Sequence, residues 1–536
     1  MDTRSIVHLQ NTPQPESRQH GPYGSIIKGN TSKSAPNCRP FFVSLVKLPL
    51  SRWTNISNDD TLLTHLFTLF WTWDSSLARI LHRELLLDDL SAQRDAASSV
   101  PREAEAQFCS DFLINSILAV SMGYLFKSTD FNEPPTHREF ADEAFRLFAL
   151  QGQAAQVPLL QGVAIMSIYE QAFGDPLRGA SLFLDTLCTL RSSSDIIDVP
   201  ALPYDNYESP RTDNLRQAIA FISDGLCYLD VKISLTMAPA AFASRIPRAN
   251  GVRGQGSLSE KGSNIDALWI PYPVSTRPQL SHYDDALEAE YELSCLAGEI
   301  LLAIQNNRAS PVPDYLGAKA LSNIRRTGLV RKSWPEGLGS SVENSTKDAG
   351  HDLKKGTLTT SRASYHFVSI KLLEPFTGLS FLDFSDGKTA RFLSQSHSEG
   401  TISTLWNYRT AFGMRHEYWL LHACNTAVAS LLLDNTLPGP HEESLSRGCE
   451  LLYSMGRYMP RANWLLLALW GKAQARAIRL PGACKMFLSA GTATVRRINV
   501  GNVAPLISTN AGKGVLFTDP AQVTFKQKIE CIERDG

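Results

Sequence analysis

The chain has no closely spaced cysteines. Its 536 residues hold nine, at positions 38, 109, 188, 227, 295, 424, 449, 484 and 531, and no two make a C-x-x-C pair or another zinc-ligand spacing. An odd, dispersed set argues against a disulfide scaffold and fits reduced thiols of the cytosol or nucleus. Charge imbalance is missing as well. The 52 Lys and Arg face 53 Asp and Glu, a formal net charge of −1, so no global field attracts nucleic acid or an anionic membrane. Long apolar runs are absent too. The longest, Leu113 to Phe126, contains Asn115 and two serines and is too short to cross a bilayer. The opening MDTRSIVHLQNTPQPESRQHGPYG lacks an apolar core of signal-peptide length. Secretion and membrane insertion are therefore not expected, and the sequons at Asn30, Asn55 and Asn344 read as chance matches. No Ser-His-Asp, Cys-His or H-E-x-x-H arrangement stands in the sequence. No catalytic, cofactor-binding or metal-ligating residue is nominated, no cofactor is expected in this chain, and the chain is not read as an enzyme.

Helical periodicity is what the chain does have. In Thr61 to Leu90, Leu62, Leu66, Phe70, Leu77 and Leu81 recur at helical spacing, and Leu63, Phe67, Trp71 and Ile80 widen the stripe. A helix apolar on so many sides is buried by other helices. A second run, FCSDFLINSILAVSMGYLF, offers Ser110 or Asp111 as N-cap. Further helices are expected over Phe140–Leu150, from Val157 with Pro158 in the first turn, and over Asn214–Leu235, His282–Gln305, Arg362–Leu373, Tyr408–Leu433 and Glu442–Leu480. The pattern predicts an all-α fold, a large array of stacked helical pairs with irregular N- and C-terminal tails. It divides the chain into a disordered arm over 1–55, a helical body over 56–480 and an irregular tail over 481–536. The tail's TATVRRINV and GVLFT have a β-like look. A polar stretch at 335–360 reads as a flexible break in the body.

Several residue groups invite a functional reading, and each has a plainer one. His65 and His82 lack a His or Cys partner at helical spacing and read as surface or capping histidines. Glu84, Asp88 and Asp89, with Arg79 and Arg83 beside them, read as a solvated, salt-bridged face. Gly251, Gly254 and Gly256 follow no apolar strand, so they read as a loop, not a phosphate cradle, and Gly512–Val515 lacks the Walker spacing. Arg245, Arg248 and Arg253, then Arg325, Arg326, Arg331 and Lys332, form two small basic patches without the aromatics of single-strand binders. Trp71, Trp73 and Trp464 could line an effector pocket between helices, although aromatics at helical spacing more commonly pack a core.

Five phrases in order give the chain a resemblance. They are Phe70-Trp71-Thr72-Trp73 with Ile80-Leu81-His82-Arg83-Glu84; Cys109-Ser110-Asp111-Phe112-Leu113-Ile114-Asn115; Val157-Pro158 through Ser167-Ile168-Tyr169-Glu170; Tyr365-His366 through Leu372-Leu373 and Pro375-Phe376; and Leu452, Met455-Gly456, Pro460 and Ala462. Over about residues 55–480 the chain resembles the regulatory middle region of fungal binuclear-zinc-cluster transcription factors, the fungal-specific transcription factor domain. The resemblance implies a nuclear regulator that takes a metabolite or partner signal. It also implies partners in the transcription machinery or a related transcription factor. There are departures. Asp74-Ser75-Ser76 stands where the family has His-Pro, Met237-Ala238-Pro239 stands for Gly-Arg-Pro, and a Trp phrase near Gly179 is eroded. The six-cysteine module that holds the family's zinc is not in these residues, whose N-terminal arm has only Cys38. DNA contact is therefore expected to be indirect or through a missing module. The alternative is a helical scaffold that sequesters a related factor without touching DNA.

Overall fold

The computed structural model describes residues 47–92, 108–125, 134–150, 157–192, 210–236, 268–274, 279–280, parts of 290–301, and then 356–377, 388–413, 417–432 and 441–498. The described residues are overwhelmingly helical, as the periodicity predicts. Helix α1 spans Asp60–Trp73. The Asp59 side chain starts it by accepting the Thr61 and Leu62 N–H groups at 2.8 and 3.3 Å. Leu62, Leu63, Leu66, Phe67, Leu69, Phe70 and Trp73 are all buried, which spreads the buried surface round most of the helix. A short α2 (Ser75–Ala78) and α3 (Arg83–Ala92) follow. Helix α4 (Asp111–Ser121) is capped by Ser110, whose Oγ accepts from Leu113 N at 3.1 Å, and all of Phe112–Ser121 is buried.

Pairing between sequence neighbours builds the body. Helix α4 packs on α5 (His137–Leu150), and α6 (Val157–Phe173) packs on α7 (Pro176–Ser192), with α4 also against α6. Helix α8 spans Pro210–Thr236. In the C-terminal half α9 (Gly356–Leu373) packs on α10 (Ala390–Phe412), and α11 (Tyr418–Leu432) packs on both. Helix α12 (Glu442–Met455) lies against α11 and α14, and α13 (Arg461–Ala475) pairs with α14 (Gly482–Ile498). One large apolar cluster runs through both halves, from Leu50 and Leu63 to Leu466 and Leu488. A two-residue antiparallel ladder, β1 (Leu268–Trp269) with β2 (Gln279–Leu280), is the one strand pairing among the described residues.

The boundaries differ from the sequence reading in five places. First, the N-terminal arm was placed at 1–55, yet Leu48, Leu50 and Trp53 are buried in the core. Asn115 of α4 holds them there: its Nδ2 donates to Trp53 O at 2.9 Å and its Oδ1 accepts from Thr54 Oγ1 at 2.7 Å. Second, α10 begins at Ala390. Its SQSHSEGT stretch has weak helix propensity and hides the period, but Thr389 caps it and Gly413, at φ 73°, ends it. The run read as one helix from Tyr408 is thus the end of α10 plus α11. Third, Glu442–Leu480 is two helices broken at 456–460. Fourth, TATVR lies inside α14, so helix continues beyond 480 and past the stretch read as β-like. Helix α9 likewise starts at Gly356, inside the stretch read as a flexible break. Residues 335–355, most of His282–Gln305, the Gly251 loop, both basic patches and Gly512–Val515 lie outside the described residues.

One crossing sets the position of the site described next. A Cβ on Gly225 of α8 would sit 2.5 Å from the Arg79 carbonyl oxygen, on backbone that has no room to yield. Gly225→Ala should push α8 off the corner after α2 and cost about 1–3 kcal/mol by overpacking. A denaturant midpoint like that of the parent chain would show that this close approach is not required.

A buried charge cluster as the candidate functional site

The turn from α1 into α2 collects charge where the sequence is otherwise apolar. Asp74 is the N-cap of α2. Its Oδ1 accepts from Leu77 N at 2.8 Å and its Oδ2 accepts from Tyr124 OH at 2.6 Å. Five residues on, Arg79 is buried and donates through Nη2 to Glu290 Oε2 at 2.6 Å. Tyr228 of α8 donates its OH to the same oxygen at 2.5 Å. The Tyr228 ring lies beneath two cations: Arg79 Cζ is 4.0 Å from its centroid and Lys232 Nζ is 4.4 Å from it. Lys232, one turn along α8, donates to Ser76 Oγ at 3.2 Å and to Ser364 Oγ of α9 at 3.4 Å. Glu417, just before α11, accepts from Ser76 N at 3.0 Å and from Ser75 Oγ at 3.2 Å.

The cluster thus holds two cations and three carboxyls out of water. Burial would raise the Glu290 carboxyl, but Lys232 and Arg79 pull harder, and it ends below its ordinary value. Burial, then the neighbouring Glu417, pushes Asp74 up to about 7. Desolvation lowers Lys232 and raises Tyr228 and Tyr124. A cavity of about 10 Å³, with room for one water-sized group, opens beside Asp74 among Tyr124, Tyr169, Phe173, Tyr418 and Met459.

A second buried group lies in the C-terminal half. His366 Nδ1 of α9 and His397 Nδ1 of α10 are 3.0 Å apart, which requires one to donate and the other to accept. Burial and the facing ring lower His366 to about 3, and burial lowers His397 to about 4. His422, buried in α11, is lowered to about 3 by burial. Asp230 on α8 is raised to about 8 by burial alone, with one carboxyl oxygen lacking a hydrogen-bond partner.

Residues singled out from sequence have simpler places. His65 Nδ1 meets Tyr272 OH at 2.6 Å, and the His82 ring packs edge-on to Phe221. Glu84 and Asp88 are exposed, and Asp89 accepts from Phe108 N at 2.6 Å. Arg79 is not on that face, because it turns inward to Glu290. Trp71 packs on Phe67 and Phe70 within α1, Trp73 donates to Tyr272 O at 2.7 Å, and Trp464 is half-buried on α13. None of the three tryptophans lines the cavity at Asp74. The four buried cysteines, Cys109, Cys424, Cys449 and Cys484, are free thiols. Among the described residues no three His, Cys, Asp or Glu side chains gather to hold a metal, and no helix is long and apolar enough to cross a membrane.

Sequence reasoning missed the charge cluster. A signal was there: Asp230 and Lys232 interrupt LCYLDVKISL, an otherwise apolar stretch. Charges inside a buried helix need partners, but the partners at 290 and 417 are too far along the chain to be read from spacing.

The described helices pack round a buried polar seam. Residues 67–234 match the fungal specific transcription factor domain, so the family resemblance holds over that stretch. Two relatives sharpen it. The Nitrogen assimilation transcription factor nirA of Emericella nidulans is 27% identical over 136 residues, which is 24% of this chain and 14% of that protein. The Nitrogen assimilation transcription factor nit-4 of Neurospora crassa is 28% identical over 139 residues, 24% of this chain and 12% of that one. The chain spans a small part of either relative's length. Asp74, Arg79, Tyr228 and Lys232 fall inside the matched domain, whereas Glu290 and Glu417 come from beyond it.

Proposed function

We propose that the chain is the regulatory body of a transcriptional regulator in a fungal nucleus. It receives a metabolite or a partner protein and passes that signal on by repacking helices. The observation that carries this reading is the transcription-factor domain over 67–234. The charge cluster supports it mechanically. A buried ion pair has a steep cost when one partner is lost, so a shift at the α1–α2 corner would be felt at Glu417 and along α11. A signal changes the population of two packings only through different affinity for each. These 536 residues contain no six-cysteine pattern, so DNA is reached through a module or chain other than these residues.

Genome-wide promoter occupancy of the tagged chain in a fungal host, together with transcript levels on its removal, tests the reading. Nuclear signal, promoter enrichment and a coherent set of altered transcripts are expected. Altered transcripts without promoter enrichment would favour a sequestering scaffold. A cytosolic protein whose removal leaves transcription unchanged would overturn the reading.

A further inference from the structure

We propose that Cys484 and Cys449 form a hydroperoxide-sensitive thiol pair, with Cys484 as the attacking thiolate and Cys449 as the resolving thiol. Both side chains are fully buried, in the seam where α12 packs on α14. Ser446, one turn before Cys449 on the same face of α12, touches the Cys484 sulfur, and the two thiols lie near enough to shift each other's protonation. Cys484 is the third residue of α14, within the first helical turn, where unpaired backbone N–H groups favour a negative sulfur. Its sulfur also lies 3.4 Å from Ser446 Oγ. Donation from the Cys449 S–H and the Ser446 hydroxyl favours the Cys484 thiolate and holds this thiol below its ordinary range. Cys449, the donor to that sulfur and buried besides, is held well above it. Cys424 lies toward Gly448, with Sγ 3.5 Å from its carbonyl oxygen, and burial keeps it protonated.

The cover over Cys484 is thin. Gly482, Ala483, Lys485 and Met486 around it are all exposed. Fraying of one helical turn admits a small oxidant, and such openings are common at helix ends. The Cys484 thiolate attacks one oxygen of hydrogen peroxide. An S–O bond forms, the O–O bond breaks, and the second oxygen leaves as water after taking a proton from solvent. Cys484 is then a sulfenic acid. The Cys449 sulfur attacks the Cys484 sulfur, the S–S bond forms, and the S–O bond breaks. The hydroxyl leaves as a second water with the proton of Cys449. Two thiols and one peroxide give one disulfide and two waters, and a dithiol reductant reverses the change. The product staples α12 to α14. This inference does not depend on the regulatory reading.

Hydrogen peroxide titrated onto the purified full chain under native conditions, followed by alkylation and non-reducing peptide mapping, tests it. A Cys449–Cys484 peptide two hydrogens lighter than the separate thiols should accumulate first. In Cys449→Ser, dimedone should instead trap Cys484 as its sulfenic acid. If Cys484 stays alkylatable while other sites oxidise, or if the first crosslink joins other cysteines, the pair does not exist. Mapping of the unaltered chain decides the matter if Cys449→Ser fails to fold.

Discussion

Unfolding midpoints of the full chain will peak near about pH 6.5 and fall on both sides of it. The upper limb comes from Asp74 and Asp230, whose folded values lie at about 7 and about 8. Each keeps its proton in the folded chain while the unfolded carboxyl has lost it. Their stabilising contribution is complete below the unfolded value and drains away as pH rises through the folded one. Each group still protonated in the folded state costs about 1.4 kcal/mol per pH unit. From about pH 6.5 to 8 the loss from these two carboxyls is about 2–3 kcal/mol, against which the lowered Lys232 works in the opposite sense. The lower limb comes from His366, His397 and His422, lowered to about 3, 4 and 3. Depressed groups contribute above their unfolded value and lose that contribution as pH falls. Three histidines outweigh the two aspartates, and His82 and His137, lowered by burial too, act in the same direction, so the net fall below about pH 6 is at least about 1.4 kcal/mol per pH unit. Denaturant midpoints across the range measure both limbs. Asp230→Asn should flatten the upper limb, because it removes a buried carboxyl that lacks a partner on one oxygen. An upper limb as steep in Asp230→Asn as in the parent chain would contradict the raised carboxyl.

Breaking the buried ion pair should have the largest single effect. Arg79→Met keeps much of the apolar stem but leaves Glu290 without the guanidinium at 2.6 Å. Removing one partner of a buried pair costs about 3–5 kcal/mol, and Lys232 and the Tyr228 hydroxyl, which remain on Glu290, hold the loss toward the lower end. Adding Glu290→Gln removes the orphaned charge, and the double variant should recover more than about 1 kcal/mol relative to additivity. Equilibrium unfolding of the two single variants and the double completes the cycle. Simple additivity would mean that the pair is not coupled, and the cluster would then lose its role as the joint between the two halves.

The helical class was legible because it rests on local pattern. Leu62, Leu66 and Phe70 recur at the spacing of one helix face, and all three are buried. Ser110 announced the start of α4 by its position before an apolar run, and it caps that helix. Local pattern failed where propensity is weak, as in SQSHSEGT of α10, and where a single glycine ends one helix before another begins, as at Gly413. The candidate site was illegible for a different reason. Its chemistry depends on pairs such as Arg79 with Glu290 and Ser76 with Glu417, which folding alone brings together. Asp74 drew notice only as a departure from the family phrase, and its place at an N-cap facing Tyr124 explains why a carboxylate suits that corner. The thiol pair escaped notice likewise, since Cys449 and Cys484 sit on separate helices with α13 between them in sequence.

The edge of homology and the edge of mechanical integrity do not coincide in this chain. A dissection guided by kinship would cut after residue 234, severing two cations from the carboxylates that neutralise them. Such a fragment would carry naked positive charge in its interior and an oily flank where α9 and α11 had been. Chimeras that graft this stretch onto another regulator must therefore carry along Glu290 and Glu417, or replace Arg79 and Lys232 with neutral side chains of similar bulk.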